Sequence, residues 1–307
     1  MVNYMVKRLI ASIPVILGSL TLVFLIIHWL PGDPAEMLAG DDAATDRVEY
    51  LRKEFGLDRP LWEQYVTYLW NSVRGDFGLS FANSQPVLER LLEQLPATLN
   101  LAIVSTLFAV ALGVALGILS AVYRNRVLDY IIRVTTLFGV SMPKFWLGIL
   151  LILIFSVHLQ WLPAIGNGSF KQLILPSLAL GLTGAGMLAR MVRNSVLEVI
   201  GEPFVLTLRA KGLSERGVLY KHVLRNALLP SITIIGLLFA GMLEGAVVTE
   251  TVFSRQGLGK MVVDAINQKD IPVIQASILI IGVFNVVTNL LVDLSYSYVD
   301  PRIRRSG

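Results

Sequence analysis

Residues 97–122 read ATLNLAIVSTLFAVALGVALGILSAV, an apolar run without one charged side chain. A helix of about 20 residues crosses a hydrocarbon core of about 30 Å, so this run is long enough to span a bilayer. It carries Gly113 and Gly117 four apart and ends at Tyr123-Arg124-Asn125-Arg126. Lys and Arg accumulate on cytoplasmic loops, so this end is expected inside the cell.

Similar runs lie on both sides. Upstream, residues 9–30 follow Lys7 and Arg8 and continue into Pro31-Gly32-Asp33-Pro34. A secretory signal has an apolar stretch of about 7–15 residues and a small-residue cleavage site, so this longer run reads as an uncleaved first span. Between the two, residues 31–96 are acidic on balance and carry Trp62, Tyr65, Tyr68, Leu69 and Trp70 at near-helical spacing. A small helical cap outside the membrane is predicted there.

Downstream, residues 127–161 are too long for one perpendicular crossing, because about 35 helical residues would reach roughly 52 Å. A break is expected at Pro143-Lys144, with 129–142 a tilted or interfacial lead-in and 145–159 the deeper part of span three. Trp161-Leu162-Pro163 marks the outer interface. Span four is predicted over 173 to about 191, where Gly181, Gly184 and Gly186 make a thin face for close helix packing. A basic polar stretch from 194 to 229 is expected in the cytoplasm, and it holds Arg209, Lys211, Arg216, Lys221, His222 and Arg225. Pro230 opens span five over 231–253, a position where a first-turn proline costs a helix least. An outer loop over 254–272 and span six over 273–298 complete an all-α membrane protein of about six spans, with both termini inside. The domains are read as 1–30 with the first span, 31–96 as the outer segment, 97–301 as the core with a cytoplasmic loop over about 194–230, and 302–307 as a basic tail.

Composition agrees with lipid as the solvent. Apolar residues make up 54% of the chain and charged ones 16%, with mean hydropathy +0.66. The absence of cysteine removes disulfides, thiolate metal sites and a cysteine nucleophile. The net charge of +4 sits between apolar runs, so it does not point to nucleic acid. Gly257-Leu258-Gly259-Lys260-Met261 lacks the upstream glycine and the Ser/Thr of a phosphate loop, so ATP is not expected to bind this chain that way. His28, His158 and His222 are too dispersed for a metal motif. No cofactor is therefore expected on the chain, nor a nucleophile–base pair.

Polar groups inside spans are costly and usually face a bundle interior or a water-filled path. Asn285, Asn289 and Asp293 recur every four residues in span six, and Glu244 lies within Gly241-x-x-x-Gly245 of span five. Two readings stand. These residues line a pathway, or they bond to neighbouring helices, with Asp293 pairing a basic residue near the inner face. Glu250, near the outer end of its span, reads as interfacial. In the cytoplasmic stretch, residues 205–212 read as a short helix stopped at Gly212, with helix again over 213–229. Leu206, Ala210 and Leu213 would form one apolar face and Arg209 with Lys211 a basic one, a pattern suited to docking in a partner's groove.

These landmarks, in this order, resemble the permease subunits of binding-protein-dependent ABC importers for dipeptides, oligopeptides and nickel. The resemblance runs through Pro31-Gly32-Asp33-Pro34, Gly75-Asp76-Phe77-Gly78 and Pro96-Ala97-Thr98-Leu99. It continues in Arg209-Ala210-Lys211-Gly212-Leu213, Leu224-Arg225-Asn226-Ala227-Leu228-Leu229-Pro230, Gly257-Leu258-Gly259 and Asp300-Pro301-Arg302-Ile303-Arg304. It implies a type I ABC importer transmembrane domain in a bacterial inner membrane. It also implies a homologous second permease, two cytoplasmic ATPases that carry ATP and Mg, and an extracytoplasmic binding protein. The coupling loop would be formed by Pro203, Phe204, Leu206, Thr207, Arg209, Ala210, Lys211, Gly212, Leu213 and Glu215. This loop lacks the Glu-Ala-Ala start of the generic coupling motif. The cargo implied is a small peptide such as a dipeptide, an oligopeptide or glutathione. Nickel or a metal chelate is the alternative, though apart from His158 no histidine or cysteine is read as lining the spans to coordinate bare metal. A stand-alone secondary transporter or channel would require inverted repeats, and none is evident.

Overall fold

The computed structural model describes the backbone of residues 2–29, 35–36, 44–54 and 56–299; the side chains of 2–9, 27, 51, 54, 233 and 293–299 lie outside what it describes. Each of the apolar runs above falls on helix. In chain order these are α1 (Val2–Trp29), α2 (Thr45–Glu54), α3 (Leu61–Arg74), α4 (Val87–Val122), α5 (Val127–Ser141) and α6 (Lys144–Leu151), which continues as a π-helical segment Ile152–His158. Then follow α7 (Phe170–Ile200), α8 (Pro203–Ala210), the irregular helical run α9 (215–227), α10 (Leu229–Val252), α11 (Leu258–Gln268) and α12 (Ile271–Val299).

Among the described residues, four helices are long and apolar enough to cross a membrane, over Val87–Val122, Phe170–Ile200, Leu229–Val252 and Ile271–Val292. The α5–α6 pair passes as a bent fifth, and α1 contains a shorter apolar stretch over Ile10–Ile26. The break in the third run is where proline demands it. Met142 is extended, at φ −79° and ψ 135°, because the ring of Pro143 disfavours helical backbone in the residue before it. The two halves meet at 109°.

The chain divides into two compact units, one of Met1–Met5, Leu99–Arg255 and Val287–Gly307, the other of Val6–Thr98 and Gln256–Val286. In the first, α7 is packed through its small residues. A methyl added at Gly181 would stand 2.7 Å from the Ser105 carbonyl of α4, and one at Gly186 would stand 2.7 Å from the Thr136 carbonyl of α5. The reverse holds on α4, where added methyls at Gly113 and Gly117 would meet the Ala185 and Ala189 carbonyls at 2.9 and 2.7 Å. With no hydrophobic effect between helices in lipid, such backbone approach and the dispersion it permits are what hold helices together.

The helix that carries span four continues past residue 191 into the stretch read as a polar loop. Arg190, Arg193 and Glu198 give this region a polar look, yet Leu188, Val192 and Val196 recur every four residues and are fully buried. The helix therefore continues to Ile200 on the strength of one apolar face. Its polar face is anchored too. Asp129 of α5, fully buried, accepts from Arg193 Nε at 2.9 Å and Nη2 at 3.0 Å, from Ser120 Oγ at 2.5 Å and from the Asn125 N–H at 3.0 Å.

The second unit has its own core of Val87, Leu91, Leu258, Met261, Ala265, Val273 and Ala276. Asp270, buried at the end of α11, accepts from Ser80 Oγ at 2.5 Å and from the Phe81 N–H at 3.0 Å, with Arg90 at 3.7 Å. The segment before α4 contains the helices α2 and α3. Burial on α3 pushes the Tyr68 hydroxyl up to about 12.

Two stability predictions follow from this packing. Gly117→Val should lower thermal stability in detergent by about 1–3 kcal/mol through overpacking, whereas Gly18→Ala, with nothing within 4 Å of the new methyl, should not. Asp129→Ala should cost about 3 kcal/mol by stranding Arg193, and the double change Asp129→Leu with Arg193→Met should recover most of that loss.

Candidate functional site

The loop between α7 and α10 is built outward from buried anchors. Glu202 is extended and Pro203 occupies the first helical position, where its missing N–H costs nothing, so α8 starts there. Val205 is fully buried and Leu208 packs beside it, one turn along, in a cluster with Leu188, Val192, Val196, Val218 and Val223. Leu213 joins the same cluster. This divides the predicted apolar face. Leu213 turns inward, while Leu206, 66% exposed, and Ala210 turn outward with Pro203 and Thr207.

Gly212 ends α8 with φ +82° and nothing within 4 Å of where a side chain would project. The glycine is there for its backbone conformation rather than for space. Arg209 is not the open cation its pairing with Lys211 in sequence suggests, because its Nε and Nη2 donate to the two Glu215 oxygens at 2.8 and 3.1 Å. Both side chains are exposed, so the pair is worth at most about 1 kcal/mol. Its effect is geometric, fastening the end of α8 to the start of α9 across Gly212. Ser214 then caps α9 by accepting the Gly217 N–H at 3.2 Å. The outcome is a short, rigid, exposed helix whose inner face is continuous with the apolar face of α7.

The span residues fall differently. Glu244 is exposed on α10, and its electrostatic partner is Lys144 at the start of α6. Lys144 read only as part of a helix break in the sequence, and its role as a counter-charge needed the fold. In the Gly241-x-x-x-Gly245 pattern, Gly245 is packed, with Lys144 Nζ 2.6 Å from where a methyl would sit, while Gly241 has nothing within 4 Å. Asn285 is half-buried and Asn289 exposed, each with a polar or ring partner. The Asp293 side chain lies outside the described residues.

Glu250 lies two residues from the end of α10. It is fully buried beside Arg255, itself buried, and its carbonyl accepts the Arg255 N–H at 2.8 Å. Burial holds the Arg255 guanidinium below its ordinary pKa, and the Glu250 charge works against that shift. Nothing in the sequence marks the pair, because what buries the two charges is packing between elements distant in the chain.

Residues 113–305 match the family described as binding-protein-dependent transport system inner membrane component. Residues 1–102 match the N-terminal domain of such membrane components. Among curated proteins the chain is similar to the glutathione transport system permease protein GsiC of Escherichia coli, at 45% identity over 304 residues and 99% of each chain. The Shigella flexneri protein of the same name is 44% identical over the same length, with the same coverage. Among solved structures, an inward-facing MetNI methionine ABC transporter aligns with TM-score 0.58 and 20% identity, over 71% of this chain and 99% of that one. An amino acid ABC transporter crystallised with histidines aligns with TM-score 0.55 and 14% identity, over 68% and 94%. These structures share the fold, and the full-length sequence matches carry the family. The chain is a multi-pass inner-membrane permease component that belongs to the binding-protein-dependent transport system inner membrane component family.

Proposed function

We propose that this permease forms, with a homologous second subunit, the pathway of an ATP-driven importer for glutathione or similarly small peptides. The observation that carries the cargo class is the 45% identity, over essentially the whole of both chains, to a glutathione transport permease. In this reading two ATPase subunits on the cytoplasmic side bind ATP and Mg, and an extracytoplasmic binding protein delivers the cargo. This chain binds no nucleotide and catalyses nothing. Both termini and the loop around α8 face the cytoplasm, as the basic residues of that loop favour.

The outward face of α8 is the part offered to the ATPase. Pro203, Leu206, Thr207 and Ala210 supply its shape, Phe204 and Lys211 flank it, and Arg209 with Glu215 keep it at a set angle. Val205 and Leu208, buried against α7, hand any movement of α8 to the spans. Nucleotide binding then biases a two-state bundle, which requires that the partner grip α8 differently in its two states. Glu244 and Lys144, with Asn285, Asn289 and Asp293, are the polar groups proposed to line the path. Peptides carry both charges and amide groups, which suits such a lining better than a bare cation does.

The direct test is uptake in vesicles containing all four kinds of subunit. Labelled glutathione should accumulate only with ATP inside the ATPase-bearing compartment, and unlabelled small peptides should compete; ATP-independent uptake would overturn the reading. Gly212→Val forces a branched residue into left-handed backbone, a strain of about 1–2 kcal/mol. Uptake per ATP hydrolysed should fall several-fold, because relief of that strain frees α8 from its set angle, while insertion and assembly persist. Full coupling in that variant would remove α8 from the mechanism. Glu244→Gln should change uptake while the complex still purifies intact, and loss of assembly instead would assign the residue to packing.

A further inference from the structure

Helix α3 carries three different surfaces. Gln64, Tyr65 and Tyr68 face α1: the Tyr65 and Thr21 hydroxyls meet at 2.6 Å, His28 Nε2 lies 3.1 Å from Gln64 Oε1, and both tyrosine rings pack on Phe24. Glu63, Thr67 and Arg74 form a polar flank at helical spacing. The remaining strip is apolar and uncovered, with Trp62 66%, Val66 56%, Trp70 57% and Val73 81% exposed. It holds no charge, although the Arg74 guanidinium reaches back over the Trp70 ring at 4.4 Å.

The attachment to α1 sets its depth. Thr21 and His28 lie within eight residues of Trp29, the last of α1, a distance of about 12 Å along the helix. Leu22, Leu25 and Ile26, at the same levels of this helix, are exposed and belong to its apolar stretch Ile10–Ile26. An amphipathic helix in a membrane interface buries its apolar face about 5–10 Å below the headgroups. Tryptophan is enriched at that depth, and a cation there can reach the headgroups over a ring.

We propose that α3 is an interfacial membrane helix, its Trp62, Val66, Trp70 and Val73 stripe inserted in the lipid at the Trp29 end of α1. The occupant of the stripe is lipid rather than a soluble protein because α3 is fastened to α1 beside Leu22, Leu25 and Ile26, exposed apolar residues of a helix long enough in its apolar run to enter the bilayer. A partner arriving from water would meet the polar flank first. The segment between the first two spans then acts as a float that fixes how far α1 sits in the bilayer, with Glu63, Thr67 and Arg74 turned to the aqueous side.

The lack of native cysteine makes the test clean. Spin labels are placed singly through Val66→Cys, Val73→Cys, Glu63→Cys and Thr67→Cys in the full-length chain, assembled with its transporter partners in phosphatidylglycerol–phosphatidylethanolamine vesicles. Collision with dissolved oxygen, which concentrates in lipid, is compared with collision with a water-soluble nickel chelate. The oxygen-to-nickel ratio should be several-fold higher at positions 66 and 73 than at 63 and 67. Equal ratios at all four would place the stripe in water, and labels at 66 and 73 shielded from both reagents would place it against a protein; either result overturns the proposal.

Discussion

Where Gly186 of α7 meets the Thr136 carbonyl of α5, and where Gly117 of α4 meets the Ala189 carbonyl of α7, there is no room for a methyl group. Lipid tails are as apolar as leucine, so burial alone gives these helices no reason to associate. Close backbone contact does, and it also fixes their rotation. With that rotation set, Leu188, Val192 and Val196 point the same way at the far end of α7, and the seat for α8 exists. Asp129 and Arg193 lock the same three helices from the polar side. The pair is held by ring-like, two-point geometry and two further donors, so removing one partner strands a buried charge.

From that seat the loop is assembled by devices of small individual energy. A first-turn proline, a left-handed glycine, an exposed arginine–glutamate pair and a serine cap each contribute about 1 kcal/mol or less to stability. Together they present one face of an eight-residue helix at a defined angle, with its opposite face inseparable from α7. Rigidity on the inside and exposure on the outside is the combination a transmitted push requires.

Much of this was legible in the sequence. Apolar runs over 97–122 and 273–298 located helices because length alone separates a span from a core helix, and Pro143 located the bend because proline constrains its predecessor. Gly212 was legible for the same local reason. What stayed hidden depended on partners distant in sequence. The reach of α7 beyond residue 191 was hidden because Arg190, Arg193 and Glu198 masked a buried stripe whose partners lie on α4, α8 and α9. Leu206, Ala210 and Leu213 were grouped by helical spacing alone, although the left-handed backbone at Gly212 separates them and turns Leu213 inward. The pairing of Lys144 with Glu244 and the burial of Glu250 required knowing which helices adjoin, and no spacing rule states that.

The central claim is that the outward face of α8 is the surface gripped by a separate cytoplasmic motor. A single Leu206→Cys variant, in a chain with no other cysteine, reports on it through a membrane-impermeant maleimide applied to sealed vesicles of known orientation. The account predicts modification only from the cytoplasmic side, and protection once the ATPase subunits are assembled. Modification from the outside, or labelling undiminished by the assembled ATPases, would contradict it.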